Sequence, residues 1–397
     1  MKELFKYLNG DRNIWVLALV LGLLSVVSVF SFIPILVKVK GLSYSYLFFK
    51  HLFLLILGFG LMYVVHLIPS RFFSKMSKML FILAVVLLVL TMLIGESVNG
   101  ADRWLKIPFV PFSFQTSDFA KLALIIYLSR QLVKRKGQFN DLKVVARYIL
   151  LPIAVTMFLI LPSNLSTAVL VGGISLVMLI VANFPGRWIA LSIGAGALLF
   201  VLLLMAAKVA PDVLPRAETW RMRIVRSFSD EVDPKDQIQI NNALTAVKAG
   251  AITLDNAPAG PGNGVLKHYI PEAYADFYFA ALVEEGGLPL AFIVIMLYMW
   301  LFFRFIKVGL SAPDNFATYL AIGIGVMVIS QAMVNMMVST KLMPVTGQNM
   351  PLLSMGGTSA WFTCIAFGIV LSISREQRGE GKSKKQKEAN VLEEIDN

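Results

Sequence analysis

Residues Ile14 to Val37 pass without one charged side chain, and the chain repeats this pattern along its length. Apolar windows fall near 13–37, 46–67, 76–95, 118–133, 147–161, 165–184, 187–208, 277–305, 315–339 and 358–374. A helix crossing a bilayer needs about 20 apolar residues. In lipid only helices and closed barrels satisfy every backbone group, and runs this continuous mean helices. The windows therefore predict an all-α polytopic membrane protein with about ten transmembrane helices. The fourth, fifth and tenth windows are short, and the fourth and fifth carry charges, so their ends are the least defined. Composition agrees: 57% of residues are hydrophobic and 15% charged. Soluble domains carry about 25% charged residues, so an ordinary cytosolic enzyme is excluded.

The first window is too long for a signal-peptide core, and no small-residue cleavage pattern follows it. It reads as a retained membrane helix. Cys364 is the one cysteine, which excludes an intrachain disulfide, and three scattered histidines beside it make no usual zinc site.

The net charge of +12 is first a topology signal. With a cytoplasmic N-terminus, the inside segments hold Lys2, Lys6 and Arg12, then Arg71, Lys75 and Lys78, then Arg130, Lys134, Arg135, Lys136, Lys143 and Arg147. Arg187, Arg304, Lys307 and the cations after Ser374 follow. The short outside loops carry only Lys38, Lys40, Arg103, Lys106 and Lys341. An even span count puts both termini in the cytoplasm. This charge also suits an anionic lipid surface, and in this composition it does not indicate nucleic acid. The expected organisation is one transmembrane domain over 1–374 and a disordered cytoplasmic tail over 375–397. A long extracytoplasmic loop, about 210–276, lies between helices 7 and 8. That loop holds a basic stretch with Arg221 and Arg223, then a predicted amphipathic helix with Ile240, Leu244 and Val247 on one face, ending at Gly250.

Four polar stretches could carry chemistry. The loop before span four places Arg103, Trp104 and Lys106 at the outer surface, then Gln115, Ser117, Asp118 and Lys121. Asp118 and Lys121 share a helix face, which fits either a local ion pair in an interfacial belt or a substrate contact. Gly260-Pro261-Gly262-Asn263-Gly264, with Lys267 after it, is either a flexible turn or a backbone cradle for phosphate. Glu272 and Asp276 run into span eight. Asp276 is placed either to stabilise the helix N-terminus or to act as a base at the membrane boundary. Glu284 and Glu285, about two turns deeper, need a cation partner, water or an ion-coupling role. The fourth stretch, Met343 to Ser359, carries two prolines and several glycines and reads as non-helical backbone lining a polar cavity, or as a plain re-entrant loop.

At these stretches the chain resembles the SEDS family of bacterial shape, elongation, division and sporulation proteins. The family's P-T-G-x-x-L-P-x-x-S-Y-G-G-S-S pattern is kept at Thr346-Gly347, Pro351-Leu352-Leu353-Ser354, Gly356-Gly357 and Ser359. Met350, Met355 and Thr358 depart from it. The family's L-P-E-x-x-T-D-F-I-F matches Pro271-Glu272, Asp276-Phe277 and Phe279, with Ala275 for Thr. G-A-x-R-W and Q-P-S-E-x-x-K match Gly100-Ala101, Arg103-Trp104, Gln115, Ser117 and Lys121, with Thr116 for Pro and Asp118 for Glu. The family's Q-P-D-L-G-T-A has Asn164 in place of its acid, so no acid–base or metal role is assigned there.

The resemblance implies a peptidoglycan glycosyltransferase in the bacterial inner membrane. It would polymerise lipid II, an undecaprenyl-diphosphate-linked disaccharide peptide, beside a class B penicillin-binding protein. By resemblance Asp276 is the base of an inverting transfer. Arg103 and Lys267 would contact the diphosphate, with Lys121 and then Arg221 or Arg223 behind them. Trp104, Gln115, Ser117 and Glu272 belong to the same site, and Thr346, Gly347, Ser354, Gly356, Gly357 and Ser359 shape its wall. A divalent cation, Mg or Mn, could share the leaving-group role, although no ligand cluster stands out. The glycine stretch with Lys267 looks more like the family's division branch than its elongation branch. That implies septal work with other divisome proteins. A lipid-linked precursor flippase and a docking scaffold are the competing classes.

Overall fold

The computed structural model describes residues 8–41, 43–98, 101–106, 113–209, 234–251, 264, 275–355 and 357–395. Helix α1 (Arg12–Lys40) opens on Asp11, whose carboxylate accepts from the amides of Asn13 and Ile14. It closes on Gly41 at a φ of 65°. An acceptor side chain satisfies the first orphan amides, and a left-handed glycine ends the ladder. Helices α2 (Tyr44–Leu67) and α3 (Ser70–Ile94) follow, then α4 (Thr116–Lys134). A short α5 (Leu142–Val145) passes through a π turn at Ala146–Leu150 into α6 (Leu151–Ile160). Next come α7 (Leu165–Val181), α8 (Gly186–Val209) and α9 (Pro234–Ala251). The chain finishes with α10 (Tyr278–Leu310), α11 (Asn315–Ser339) and α12 (Ser359–Ile395).

Polar contacts show which helix ends lie together. At one end Arg304 pairs with Asp11, and the Arg130 guanidinium donates to the Ser74 carbonyl at 2.6 Å. There too the Glu376 carboxylate accepts from the Ser70 amide at 2.9 Å, and Trp188 donates to the Phe139 carbonyl at 2.8 Å. At the other end the hydroxyl oxygens of Thr91 and Thr116 lie 2.9 Å apart, and Gln348 Nε2 donates to Thr167 Oγ1 at 2.6 Å. The helices of the apolar windows thus run back and forth between two ends. Among the described residues six helical spans are long and apolar enough to cross a membrane: Arg12–Pro34, Tyr44–Leu67, Ser70–Ile94, Leu142–Ile160, Tyr278–Leu310 and Asn315–Ser339. The chain is a multi-pass membrane protein.

The charged fourth window is explained by position. Helix α4 packs against α3, α6, α7, α11 and α12, and most of its residues are buried. It meets protein where the outer helices meet lipid, so a continuous apolar surface is not required of it. Close packing elsewhere uses small residues. A Cβ on Gly368 of α12 would come within 2.8 Å of the Met62 carbonyl of α2, and one on Gly58 within 3.0 Å of Cys364 Sγ. Small side chains let membrane helices approach this closely.

One feature corrects the sequence reading. The fold is not all-α: the loop before α4 holds a three-stranded antiparallel sheet, β1 (Glu96–Val98), β2 (Ala101–Lys106) and β3 (Ser113–Gln115). Val98 pairs with Ala101, and the two residues between them are Asn and Gly, the dipeptide best suited to a two-residue hairpin link. The last helix is drawn to Ile395.

Part of the long loop is ordered as α9, which packs against α10. Ala243 and Ala246 are fully buried, with Ile240 and Val247 packed on the core. Gly250 sits so close to α10 that a Cβ there would fall on the Val283 carbonyl oxygen.

Candidate functional site

Asp276 lies in the turn that enters α10, half-buried, with Phe277 and Tyr278 fully buried behind it. What holds this turn is a residue the sequence reading did not single out. Asn335 of α11 is fully buried. Its amide donates to the carbonyls of Ala275, Asp276 and Gln348 at 3.0, 3.1 and 2.8 Å, and its Oδ1 accepts from the Phe279 amide at 3.4 Å. One side chain therefore ties the Asp276 turn to α11 and to the segment after it. The available signal was an Asn deep inside an apolar window, since polar groups at membrane depth are costly unless used.

The segment from Pro344 to Met355 is non-helical, as two prolines and its glycines require. Gly347 and Gly357 have φ of 67° and 57°, a region closed to most side chains. The segment is anchored on several sides. Tyr298 donates to the Pro351 carbonyl at 2.5 Å. Ser25 donates to the Leu353 carbonyl at 2.9 Å, so its oxygen accepts from His51 Nε2 at 3.1 Å. Gln348 reaches Thr167, whose amide caps onto Asn164 Oδ1 at 3.1 Å. Asn164, the position where the family carries an acid, is thus the N-cap of α7. Its Nδ2, with Thr346 Oγ1, is buried without a hydrogen-bond partner. Ser354 donates back to the Met350 carbonyl at 2.9 Å, a structural turn. Thr358 donates to the Ser113 carbonyl of β3 at 3.1 Å, and Ser359 begins α12.

That last contact joins the second half of the site. Trp104 pairs with Gln115 across β2 and β3, and buried Gln115 donates to Ser117 Oγ at 3.1 Å. One turn on, Lys121 and Asp118 form a buried ion pair at 2.8 Å, their side chains 3% and 7% exposed. Asp118 Oδ2 has no hydrogen-bond partner. Arg103 is a β2 residue. Lys267, Glu272, Arg221, Arg223 and Gly356 lie outside the described residues. The structure thus gathers Asp276, Gln115, Ser117, Lys121 and the Thr346–Ser359 segment at one end of the bundle. The segment connects the Asp276 turn to the sheet.

Glu284 and Glu285 sit just before a break. Helix α10 leaves helical geometry at Gly287, with φ 68° and ψ −172°, and Pro289 follows. Ser31 of α1 donates to the Glu285 carboxylate, and Gly264 of the long loop lies against the Glu284 carboxylate. Glu284 is buried at 4% exposure. Among the described residues no group of three or more His, Cys, Asp or Glu side chains is placed to hold a metal ion.

The profile of the FtsW/RodA/SpoVE cell cycle proteins matches residues 11–379. The chain belongs to that family. Curated relatives agree along the whole chain. A probable peptidoglycan glycosyltransferase FtsW from Aliivibrio salmonicida is 32% identical over 378 residues, covering 93% of this chain and 90% of its own. One of the same description from Geobacter sulfurreducens is 30% identical over 384 residues, covering 96% and 98%. Among solved structures, a chain from "Structural coordination of polymerization and crosslinking by a peptidoglycan synthase complex" superposes with a TM-score of 0.72 at 22% identity. It covers 93% of this chain and 98% of its own. Thermus thermophilus rod shape determining protein RodA gives 0.65 at 23% identity, covering 93% and 97%. These likenesses show the fold of the family.

Proposed function

We propose that this protein is a peptidoglycan glycosyltransferase of the division branch, polymerising lipid II at the outer face of the bacterial inner membrane. The acceptor's GlcNAc 4-hydroxyl attacks C1 of the donor sugar, and the C–O bond to the polyprenyl diphosphate breaks. The hydroxyl proton passes to the Asp276 carboxylate, and the bond pair leaves with the diphosphate. An α-linked donor gives a β-linked glycan in one displacement, so one base suffices, unlike the paired carboxylates of a retaining enzyme. The observation that carries this reading is the Asp276 turn, locked by Asn335 at the end of α10. Pinning of the main chain on both sides of the carboxylate favours a fixed base over a mobile surface acid.

Cations must meet the leaving diphosphate. Arg103 and Lys267 take that role, with Lys121 lower because Asp118 already neutralises it. Arg221 and Arg223 are further contacts. Trp104, Gln115, Ser117 and Glu272 position the sugars and headgroup, and Thr346, Gly347, Ser354, Gly356, Gly357 and Ser359 form the cavity wall. A Mg or Mn ion would be carried on the diphosphate itself. The partner is a class B penicillin-binding protein, within a set of divisome proteins at the septum. Ten spans, cytoplasmic termini and an outer long loop complete the reading. It is supported by the cations Arg130, Lys134, Arg135 and Arg304, which lie at the end away from Asp276.

Asp276→Asn is the test. Purified in detergent with its partner, this variant is expected to make no glycan strands from lipid II while keeping the wild-type melting temperature. Full polymerisation by it would sink the assignment. A precursor flippase is the second reading, favoured by one observation: a helix broken at Gly287 beside Glu284 and Glu285. Glycan formed in detergent, with no sealed membrane, rejects transport as the sole activity.

A further inference from the structure

The opposite end of the bundle carries a built cluster that polymerisation does not use. It surrounds the turn between α4 and α5. The Arg135 guanidinium lies 4.1 Å from the centre of the Tyr148 ring, and that of Arg147 lies 5.6 Å from the same ring. Tyr148 and Arg147 lie in the π turn at Ala146–Leu150, which inserts a residue into the helical repeat, and Arg135 reaches the ring from the C-cap of α4. On the other side of the turn Arg187 donates to Asn140 Oδ1 at 2.9 Å and lies 5.0 Å from the Trp188 ring centre. Trp188 is in turn fixed to the Phe139 carbonyl at 2.8 Å.

Three guanidiniums and the neighbouring Lys136 are not ion-paired among the described residues. The nearest acid in sequence, Asp141, accepts from the Lys143 amide at 2.8 Å as the N-cap of α5. The Arg135 guanidinium donates from one Nη to Gln138 Oε1 at 2.9 Å, while its Nε is buried and has no hydrogen-bond partner. Two guanidiniums sharing one ring repel each other, and that repulsion is relieved by an anion. A tyrosine and a tryptophan at helix ends sit at headgroup depth in a membrane protein. Beside them Leu142, Leu151 and Leu191 expose 52%, 55% and 55% of their surface. A free phosphate has no use for that apolar rim, whereas a phospholipid has acyl chains to cover it.

We propose that Arg135, Arg147 and Arg187, with Tyr148 and Trp188, bind the phosphate headgroup of an anionic phospholipid. The guanidiniums bond the phosphate oxygens, for which their planar fork is suited. The rings hold the guanidiniums, and the acyl chains lie along the exposed leucines. The proposal rests on the multi-pass fold and not on the glycosyltransferase reading.

The experiment uses the full chain in detergent, with lipid retention counted by native mass spectrometry across a phosphatidylglycerol titration. The double variant Arg135→Gln/Arg147→Gln is expected to weaken retention on the order of thirtyfold, from about 1 kcal/mol per cation at a membrane surface. Lys75→Gln/Lys78→Gln removes equal charge from the same end and is expected to leave retention near wild type. Arg135→Lys/Arg147→Lys keeps charge and loses the fork, and should fall between. Equal loss in the glutamine and Lys75/Lys78 variants overturns the site in favour of a diffuse field. Unchanged retention in Arg135→Gln/Arg147→Gln, at an unchanged melting temperature, also overturns it. Displacement of the lipid by an equal concentration of inorganic phosphate overturns the lipid assignment. A melting temperature lowered in the glutamine variant and restored in the lysine one, with retention still below wild type, supports the site.

Discussion

Asn335 holds the main chain on both sides of the Asp276 carboxylate. Replacing it by Ala strands the buried Gln348 carbonyl and Phe279 amide and removes a donor from the part-buried carbonyls of Ala275 and Asp276, and each buried orphaned group costs about 1–3 kcal/mol. Asn335→Ala should therefore lower the melting temperature and the polymerisation rate together. A positioning role further predicts that kcat falls while the KM for lipid II moves little, because Asp276 itself remains. An equal rise in KM with kcat unchanged would contradict it. The Asp118–Lys121 pair gives a second residue-scale expectation. Lys121→Ala leaves a buried carboxylate unpaired, a loss of about 3–5 kcal/mol. Asp118→Asn/Lys121→Met, which removes both charges, should be much milder. Thermal unfolding of the two variants in one detergent checks the difference.

At the scale of elements, the informative places are those where a helix stops being regular. Helix α10 breaks at Gly287, whose φ of 68° and ψ of −172° are open to glycine almost alone. Gly287→Ala should cost about 1–3 kcal/mol in stability, read as a lower melting temperature. It should also disturb the placement of Glu284 and Glu285, which immediately precede the break. Helices α2 and α12 show the opposite case, two regular helices in close contact. Gly368→Val places methyl groups against the Met62 carbonyl and Val65. A loss of about 1–3 kcal/mol is expected from overpacking there, again read by thermal unfolding. The sheet of β1 to β3 was legible in principle from Asn99-Gly100, but an apolar-window reading ranks that stretch as loop. Strands of three to six residues leave no hydropathy signal.

For the whole molecule, the alternation of helix direction makes a topology prediction. Cys364 is the one native cysteine and is buried, so a Cys364→Ser background carries no competing thiol. In that background Lys136→Cys should react with a membrane-impermeant maleimide only when the cytoplasmic face is open. Ser43→Cys should react from outside. Labelling of both from one side would overturn the arrangement.

Long apolar runs determined by themselves that this chain is helical and membrane-embedded, because lipid offers no partner for an unpaired backbone group. The Pro344–Met355 break was also legible, since proline and glycine act locally. The residues that assemble the site were not. Asn335 lies 59 positions from Asp276 in sequence, and Gln348 lies 181 from Thr167. A hydrogen bond is decided by which atoms come within about 3 Å, and helix packing alone sets that. The same holds for α4, whose charges shorten its window and whose burial among five helices makes them affordable. Sequence thus settled which solvent the helices face, and the tertiary structure settled which polar groups they share.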